Sequence, residues 1–347
     1  MYGVRWENGY YMRKFNFDYI STERQAIMGF SILWIMFFHC YGDYSRFPML
    51  EAIKNFGNLG VDIFLLLSGV GLYYSVQRLR RENGERWIIP YFKRRFMRII
   101  PATIICLLPW YCYLYRGQNV SAIRFLLDIT SLSYWIDGSN RGWYVALTIV
   151  LYAFYPLLYT TIVKWKDDAL LYCAMLIAII IAVNTAIAIL KPEWFGAVSL
   201  ALCRVPVFIG GCFLALIVLE KSELRWLPLG CFLMASFLFV FLKRFIEPLR
   251  IYGTWRYLYG ILGFCVTVVL SVVFRHIHGK WLSKLFCFFG KYTLELYLTH
   301  TQILTVLWNS SKINLSGTMT NVLAVGCSII VAYIVHEGLS FVEKTSG

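Results

Sequence analysis

Charged side chains are scarce in this chain of 347 residues, in which Asp, Glu, Lys and Arg together make up 15%. A soluble globular domain carries about a quarter. Hydrophobic residues instead make up 59% of the chain. The shortage of charge excludes an ordinary soluble enzyme. We predict an all-α, polytopic membrane protein that forms one domain over residues 1–347, with no appended soluble domain.

Several familiar signatures are missing, and each absence excludes a class of protein. The sequence has no Walker loop, no dinucleotide-binding glycine fingerprint and no GxSxG nucleophile elbow. The ten cysteines make no CxxC pair and the five histidines do not recur at metal-ligand spacing, so we expect neither a disulfide framework nor a metal. The net charge of +14 has no nucleic-acid motif beside it, so we assign it to topology and to contact with membrane lipids.

Long apolar runs are what the chain has in abundance, and at about twenty residues to a span they predict about ten transmembrane helices. The predicted spans are 25–42, 57–77, 99–115, 143–163, 169–190, 199–219, 226–242, 257–274, 285–307 and 319–341. An inner N-terminus and an inner C-terminus place most Lys and Arg inside, among them Arg5, Arg13 and eight in 78–98. The outer loop 116–141 contains a short apolar piece, Ala122–Leu127, which we interpret as an interfacial or re-entrant helix.

A histidine, His39, lies near the end of the first apolar run. A titratable ring in hydrocarbon is costly, so it is a candidate functional group. Fifteen residues from Arg24 at about 1.5 Å each place it about 22 Å along the helix, in the outer half of the membrane. Asp43 would share its helix face and orient the imidazole. The alternative is a helix-end histidine bound to a backbone carbonyl.

Two charged residues, Asp62 and Arg204, lie inside later apolar runs. A carboxylate in hydrocarbon is expected to face the bundle interior and to be paired. Asp62 is therefore either a substrate contact or the structural partner of an arginine such as Arg204. Arg204 heads the segment RVPVFIGG, and a kinked helix with a buried cation often lines a cavity.

A basic cluster, KRRFMR, opens the third apolar run at Lys93–Arg98. Arg95 and Arg98 are three residues apart and share a helix face, so their guanidinium groups suit a diphosphate or a 3′-phosphate. We predict that Arg94, Arg95 and Arg98 bind an anionic donor. The arginines just before them, Arg78, Arg80 and Arg81, are interpreted as topology determinants that bind lipid phosphate.

Aromatic rings open the fourth run from the outer side at Trp143 and Tyr144. Such rings are either interfacial anchors or a stacking surface for a sugar, and we keep both as candidate substrate contacts.

The ninth run contains Lys291, Glu295 and His300. The first two are four residues apart and predict a structural ion pair. Glu295 and His300 are also candidate substrate contacts. His336, near the inner end of the last run, is predicted to be interfacial.

Six stretches, in this order, resemble the membrane-bound acyltransferase 3 family. They are Glu23–His39, Gly60–Ser75, Tyr91–Pro101, Gly142–Tyr159, Arg204–Gly211 and Phe288–His300. Each stretch alone is a weak apolar pattern, whereas the ordered set is specific. The resemblance implies O-acylation, usually O-acetylation, of carbohydrates made at or exported across the cell envelope. It places the first-helix histidine of the family on His39 and its Arg-x-x-Arg pair on Arg95 and Arg98.

The chain departs from the family in two places. Relatives often carry a basic residue eleven positions before the histidine, where this chain has Met28. Either Arg24, one turn earlier, takes that role or the donor is handled differently. Many relatives also carry a Glu after the tryptophan of the fourth span, and none follows Trp143 here.

From the resemblance we expect a multi-pass enzyme of the cytoplasmic membrane. It would move an acyl group, acetyl above longer chains, from cytoplasmic acetyl-CoA or another acyl-CoA to a carbohydrate or glycolipid hydroxyl without a metal. His39 would be the general base or a covalent acyl carrier. The alternative is a transporter or flippase, whose polar pathway would include Asp62, Arg204, Glu295 and His300. The acceptor and the oligomeric state stay open.

Overall fold

The computed structural model describes residues 14–245, 253–309 and 316–345. It is 84% helical, and the predicted all-α fold is confirmed. Arg5 and Arg13, which contribute to the predicted inner N-terminus, lie outside the described residues.

The described helices follow one another with short connections. In chain order they are α1 (Asp18–Thr22), α2 (Arg24–His39), α3 (Pro48–Asn55), α4 (Leu59–Asn83), α5 (Ile88–Leu114), α6 (Ala122–Ile129), α7 (Tyr134–Asp137), α8 (Trp143–Lys164), α9 (Ala169–Leu190), α10 (Pro192–Leu202), α11 (Val205–Leu219), α12 (Leu227–Phe245), α13 (Thr254–His276), α14 (Trp281–Lys291), α15 (Thr293–Trp308) and α16 (Gly317–Thr345). Helix α6 confirms the helix predicted within the outer loop.

Two short strands join the start of the described chain to the loop after α11. Strand β1 (Phe15–Asn16) pairs antiparallel with β2 (Glu223–Leu224), so that Phe15 lies opposite Leu224. This pairing holds two predicted inner segments on the same side of the bundle.

Seven helical segments in the described part of the chain are long and apolar enough to cross a membrane. They are Leu59–Leu114, Trp143–Lys164, Lys166–Leu190, Pro192–Leu219, Leu227–Phe245, Thr254–His276 and Gly317–Glu343. The first of them holds both α4 and α5, which a 3-10 turn at Gly84–Trp87 separates. Eight of the ten predicted spans therefore fall on these segments.

The predicted spans 25–42 and 285–307 do not fall on segments of that length. Helix α2 has 16 residues, about 24 Å, and the later run is divided into α14 and α15 at Tyr292. The multi-pass helical fold is thus shown, while the count of ten and the sidedness stay predictions.

The two short helices α2 and α14 pack with almost no space between their backbones. A Cβ added to Gly29 would lie 1.8 Å from the carbonyl oxygen of Phe286, and one added to Gly290 would lie 2.0 Å from that of Gln25. Only glycine permits this approach. The packing fixes the position of α2 relative to α14 and to α15, which follows α14 directly.

Candidate active site

Two histidines meet where α2 and α15 pack together. His300 Nε2 lies 3.2 Å from His39 Nδ1. Each ring also contacts a backbone carbonyl one turn earlier, since His39 Nδ1 is 2.9 Å from Ile35 O and His300 Nδ1 is 2.8 Å from Leu296 O. His300 is buried, and His39 is half-buried. His39 thus has the carbonyl contact of the alternative interpretation and, in addition, a second imidazole.

The prediction that Asp43 orients His39 is wrong. Helix α2 ends at His39 because Cys40 leaves the helical region, with φ −57° and ψ 135°. The four-residue spacing therefore no longer places Asp43 on the histidine's face. The Asp43 carboxylate instead accepts a hydrogen bond of 2.9 Å from the backbone N–H of Ser45, which holds the pKa of this exposed carboxyl below its usual range.

A cavity of about 670 Å³ opens beside α4 at the predicted inner end of the bundle. Four arginines from three helices line it: Arg24 of α2, Arg78 and Arg81 of α4, and Arg95 of α5. None of the described residues that line it is acidic. Four guanidinium groups around one space repel one another unless an anion lies between them. The cavity therefore suits a ligand with several negative charges.

Neighbouring groups hold two of these arginines in place. Arg24 Nε donates a hydrogen bond of 3.2 Å to the carbonyl oxygen of Leu67. Arg95 donates to the hydroxyl of Ser75, and its guanidinium lies 5.9 Å from the centroid of the Tyr152 ring. Met28, by contrast, packs against the apolar core. The basic group that α2 contributes to the cavity is thus Arg24, one turn before the family's usual position.

The other two predicted donor-binding arginines do not line this cavity. Arg94 Nη2 is 3.2 Å from a carboxylate oxygen of Glu82 on the surface. Arg98 Nη1 is 2.9 Å from Glu295 Oε1, a carboxylate that is fully buried. The predicted pairing of Arg95 with Arg98 around one ligand is therefore not observed, because Arg98 is paired with the buried carboxylate of Glu295.

One further prediction about this region is wrong. Glu295 does not pair with Lys291, since the break at Tyr292 places them on different helices. Lys291 Nζ contacts Glu337 instead, at 2.5 Å. His336 is buried, with its Nδ1 3.1 Å from Glu295 Oε1, and its position at the membrane interface stays a prediction. Glu295, predicted as a substrate contact, thus joins α5, α15 and α16.

A second charged pair lies in the centre of the bundle. Arg204 Nε is 3.2 Å from Asp62 Oδ1, and both residues are fully buried. The interpretation of Asp62 as partner of Arg204 is confirmed. The guanidinium also lies 5.1 Å from the centroid of the Trp143 ring. Arg204 lies at the break between α10 and α11, which interrupts the helix at the head of the segment RVPVFIGG.

This pair leaves two buried polar atoms without hydrogen bonds among the described residues. They are Oδ2 of Asp62 and Nη2 of Arg204, whereas Oδ1 of Asp62 and Nε of Arg204 face each other in the ion pair. Buried polar atoms are normally satisfied, and unsatisfied ones call for an explanation such as a bound polar group. The centre of the bundle therefore has unused donors and acceptors of both signs.

Aromatic rings connect the central pair to the two histidines. The Tyr144 ring lies next to Trp143 and 5.1 Å from the centroid of Tyr297, and Tyr297 lies 6.0 Å from His300. Trp143 and Tyr144 were predicted as substrate contacts at the outer end of α8. The structure places them on a continuous path from Arg204 to the histidine pair.

Sequence reasoning missed part of this site. Arg78 and Arg81 were interpreted as topology determinants, although they are three residues apart and lie on one face of α4. The residues between α4 and α5 gave no sign that the two helices enclose a cavity. Tyr297 was missed because an aromatic residue in an apolar run is normally core.

The apolar helical bundle thus contains an imidazole pair at one end of α2 and an arginine-lined cavity at the other. The family model described as an acyltransferase domain matches residues 26–337, and the chain belongs to this family. The resemblance drawn from the six sequence stretches is thus confirmed. No curated protein and no solved structure gives a significant match.

Proposed function

We propose that this acyltransferase takes an acyl group, acetyl above longer chains, from acyl-CoA and attaches it to a hydroxyl of an envelope, lipid-linked or exported carbohydrate. The observation that carries the proposal is the position of the two sites. The arginine cavity and the histidine pair lie at opposite ends of α2, within one acyltransferase domain.

The charge of the cavity supports acyl-CoA as the donor. Coenzyme A carries a diphosphate and a 3′-phosphate, and four cations line the cavity with no acidic lining residue among those described: Arg24, Arg78, Arg81 and Arg95. One of them, Arg78, also lies 3.6 Å from Glu82 outside the cavity, which leaves Arg24, Arg81 and Arg95 without a carboxylate partner among the described residues. A hydrogen bond between a charged donor and a phosphate is worth about 1.5–3 kcal/mol. Several such contacts would anchor the nucleotide end of the donor.

The length of α2 supports the same donor. His39 lies fifteen positions after Arg24, which is about 22 Å of helix. An extended pantetheine arm is of comparable length. With its phosphates at Arg24, the donor would reach the histidine pair with its thioester.

The transfer itself needs one base and no metal, because a thioester is already activated. In the proposed step His39 accepts the proton of the acceptor hydroxyl while the oxygen of that hydroxyl attacks the thioester carbonyl. The C–S bond then breaks, and the departing thiolate takes the proton. Positioned bases of this kind contribute about 10²–10⁴-fold. A covalent acyl-histidine, which divides the transfer into two steps, uses the same residue.

The central charged pair supports a polar acceptor. Sugar hydroxyls both donate and accept hydrogen bonds, as Oδ2 of Asp62 and Nη2 of Arg204 require. Trp143 and Tyr144 add the aromatic faces on which sugar rings stack. The acceptor would enter from the outer side, since α8 begins there in the predicted topology.

The donor assignment is tested by isothermal titration of acetyl-CoA into the purified protein in nanodiscs. We expect Arg81→Ala and Arg95→Ala each to weaken binding about tenfold or more. Arg80→Ala is the matched control, because Arg80 lies on the same helix as Arg81 but pairs with Glu85 at 2.8 Å. Equal affinity for acetyl-CoA in all three variants would show that coenzyme A does not bind in this cavity.

The acceptor is tested by mass spectrometry of envelope glycans from cells with and without the protein. We expect one glycan to gain the mass of an acetyl group when the protein is present. The glycans from the two kinds of cell could instead carry the same acyl esters although the purified protein cleaves acetyl-CoA. The acceptor would then not be an envelope carbohydrate.

A further inference from the structure

We propose that His300 is a positioning residue that fixes the tautomer of His39 and makes Nε2 of His39 the reacting nitrogen. The inference rests on the proposed acyl transfer, which it deepens by assigning the reacting atom and the residue that prepares it. It is argued from the hydrogen bonds of the two rings.

The protonation of His300 follows from its carbonyl contact. Its Nδ1 lies 2.8 Å from the carbonyl oxygen of Leu296. A carbonyl oxygen only accepts hydrogen bonds, so Nδ1 of His300 must carry the hydrogen. In the neutral ring the other nitrogen, Nε2, then has no hydrogen and acts as an acceptor.

The protonation of His39 follows in turn. The acceptor nitrogen of His300 lies 3.2 Å from His39 Nδ1, and the carbonyl oxygen of Ile35 lies 2.9 Å from the same atom. Two acceptors thus face one nitrogen, which must carry the hydrogen. Neutral His39 is therefore protonated at Nδ1 and bare at Nε2, for which no hydrogen bond is found within the described residues.

This arrangement gives His300 the part that a carboxylate plays in other catalytic dyads. When His39 Nε2 takes a proton from the acceptor hydroxyl, the ring becomes positive and its Nδ1–H bond strengthens toward His300 Nε2. Asp43 does not supply this support, since it lies in the exposed loop beyond the helix end. The same bare Nε2 would be the attacking atom if an acyl-histidine forms, so both chemistries use one atom.

Two amide substitutions separate positioning from a merely structural role. In His300→Gln the amide oxygen occupies the place of Nε2, so the acceptor toward His39 is kept and the contact with Leu296 is lost. In His300→Asn the amide reaches only the place of Nδ1, so the contact with Leu296 is kept and the acceptor is lost. His300→Leu removes both.

We expect His300→Asn and His300→Leu to lower kcat by on the order of 10²-fold with little change in the KM for acetyl-CoA, because base catalysis is lost and donor binding is not. His300→Gln should recover most of kcat. Recovery by Asn and not by Gln would show a structural role and overturn the proposal. Wild-type kcat in all three variants would overturn it as well.

The tautomer is also measured in the unmodified protein, so the proposal does not depend on the His300 variants. The chain has five histidines, and ¹⁵N-histidine labelling resolves protonated from bare ring nitrogens, with His39→Ala used to assign its signals. We expect a bare Nε2 and a protonated Nδ1 for His39. A protonated Nε2 would contradict the proposal. Absence of acyl transfer together with a bare Nε2 would instead contradict the proposed function alone.

Discussion

Arg24 and His39 are the first and last residues of one helix, α2. Under the proposed function, this one rigid element would connect the cavity for the donor's phosphates to the imidazole that acts on its acyl group. The separation of about 22 Å is set by the helix itself.

Moving the basic residue of α2 by one turn tests how the cavity is built. We expect Arg24→Met to raise the KM for acetyl-CoA about tenfold, because one charged phosphate contact is lost. Adding Met28→Arg should restore part of the affinity, since position 28 lies on the same helix face. Steady-state kinetics at varied acetyl-CoA measure both effects. A KM that Arg24→Met leaves unchanged would exclude Arg24 from the donor site.

Arg98 should behave as a structural residue. Arg98→Ala leaves the buried Glu295 carboxylate without its guanidinium partner. Breaking a buried pair costs about 3–5 kcal/mol. The side chain of Arg98 is 41% exposed, so we expect about 1–3 kcal/mol, seen as a lower Tm with the affinity for acetyl-CoA unchanged.

The exposed Lys93 on the same helix provides the control, and Lys93→Ala should change neither Tm nor affinity. If Arg98→Ala instead binds acetyl-CoA more weakly at an unchanged Tm, Arg98 contributes to the donor site, as the sequence motif predicts.

The close packing of α2 on α14 should be required for the histidine pair. In Gly29→Ala the new Cβ would lie 1.8 Å from a backbone oxygen, so the helices must separate. We expect a stability loss of about 1–3 kcal/mol or more and a lower transfer rate, because His39 moves relative to His300. Gly326→Ala, which meets no atom within 4 Å, is the control. Equal Tm and rate in the two variants would show that the packing is not needed.

The sidedness of the two sites is tested by cysteine labelling in intact cells. The background lacks the exposed Cys112 and Cys327 through substitution by Ser. A membrane-impermeant maleimide should label Asp43→Cys from outside and Arg94→Cys only after permeabilisation. If Asp43→Cys is labelled only from inside, the predicted topology is wrong. The acceptor would then be a cytoplasmic precursor.

The fold was largely predictable because apolar runs of span length dominate the sequence. Eight of ten predicted spans fall on segments long enough to cross a membrane. The two exceptions, 25–42 and 285–307, are short or broken at residues whose conformation is set by tertiary packing. Gly42 and Gly290 each lie two residues from one of these breaks, but a glycine inside or beside an apolar run does not by itself identify a helix end.

The site was less predictable, because the spacing of residues along the sequence predicts contacts within one helix but not contacts between helices. Spacing favoured Asp43 as the partner of His39 and Lys291 as that of Glu295. The observed partners are His300, 261 positions away, and Arg98, 197 positions away. The arginine cavity likewise combines three helices. His39 itself and Arg95 were identified because a titratable ring in an apolar run and a family motif are both local signals.

The most direct test of the account compares acetyl-CoA cleavage by the purified wild-type protein and His39→Ala. We predict that His39→Ala keeps the Tm and the affinity for acetyl-CoA, since His39 lies at the far end of α2 from the arginine cavity. Its rate of thioester cleavage and acyl transfer should fall by at least about 10²-fold. Wild-type turnover by well-folded His39→Ala would contradict the central claim that His39 carries the chemistry.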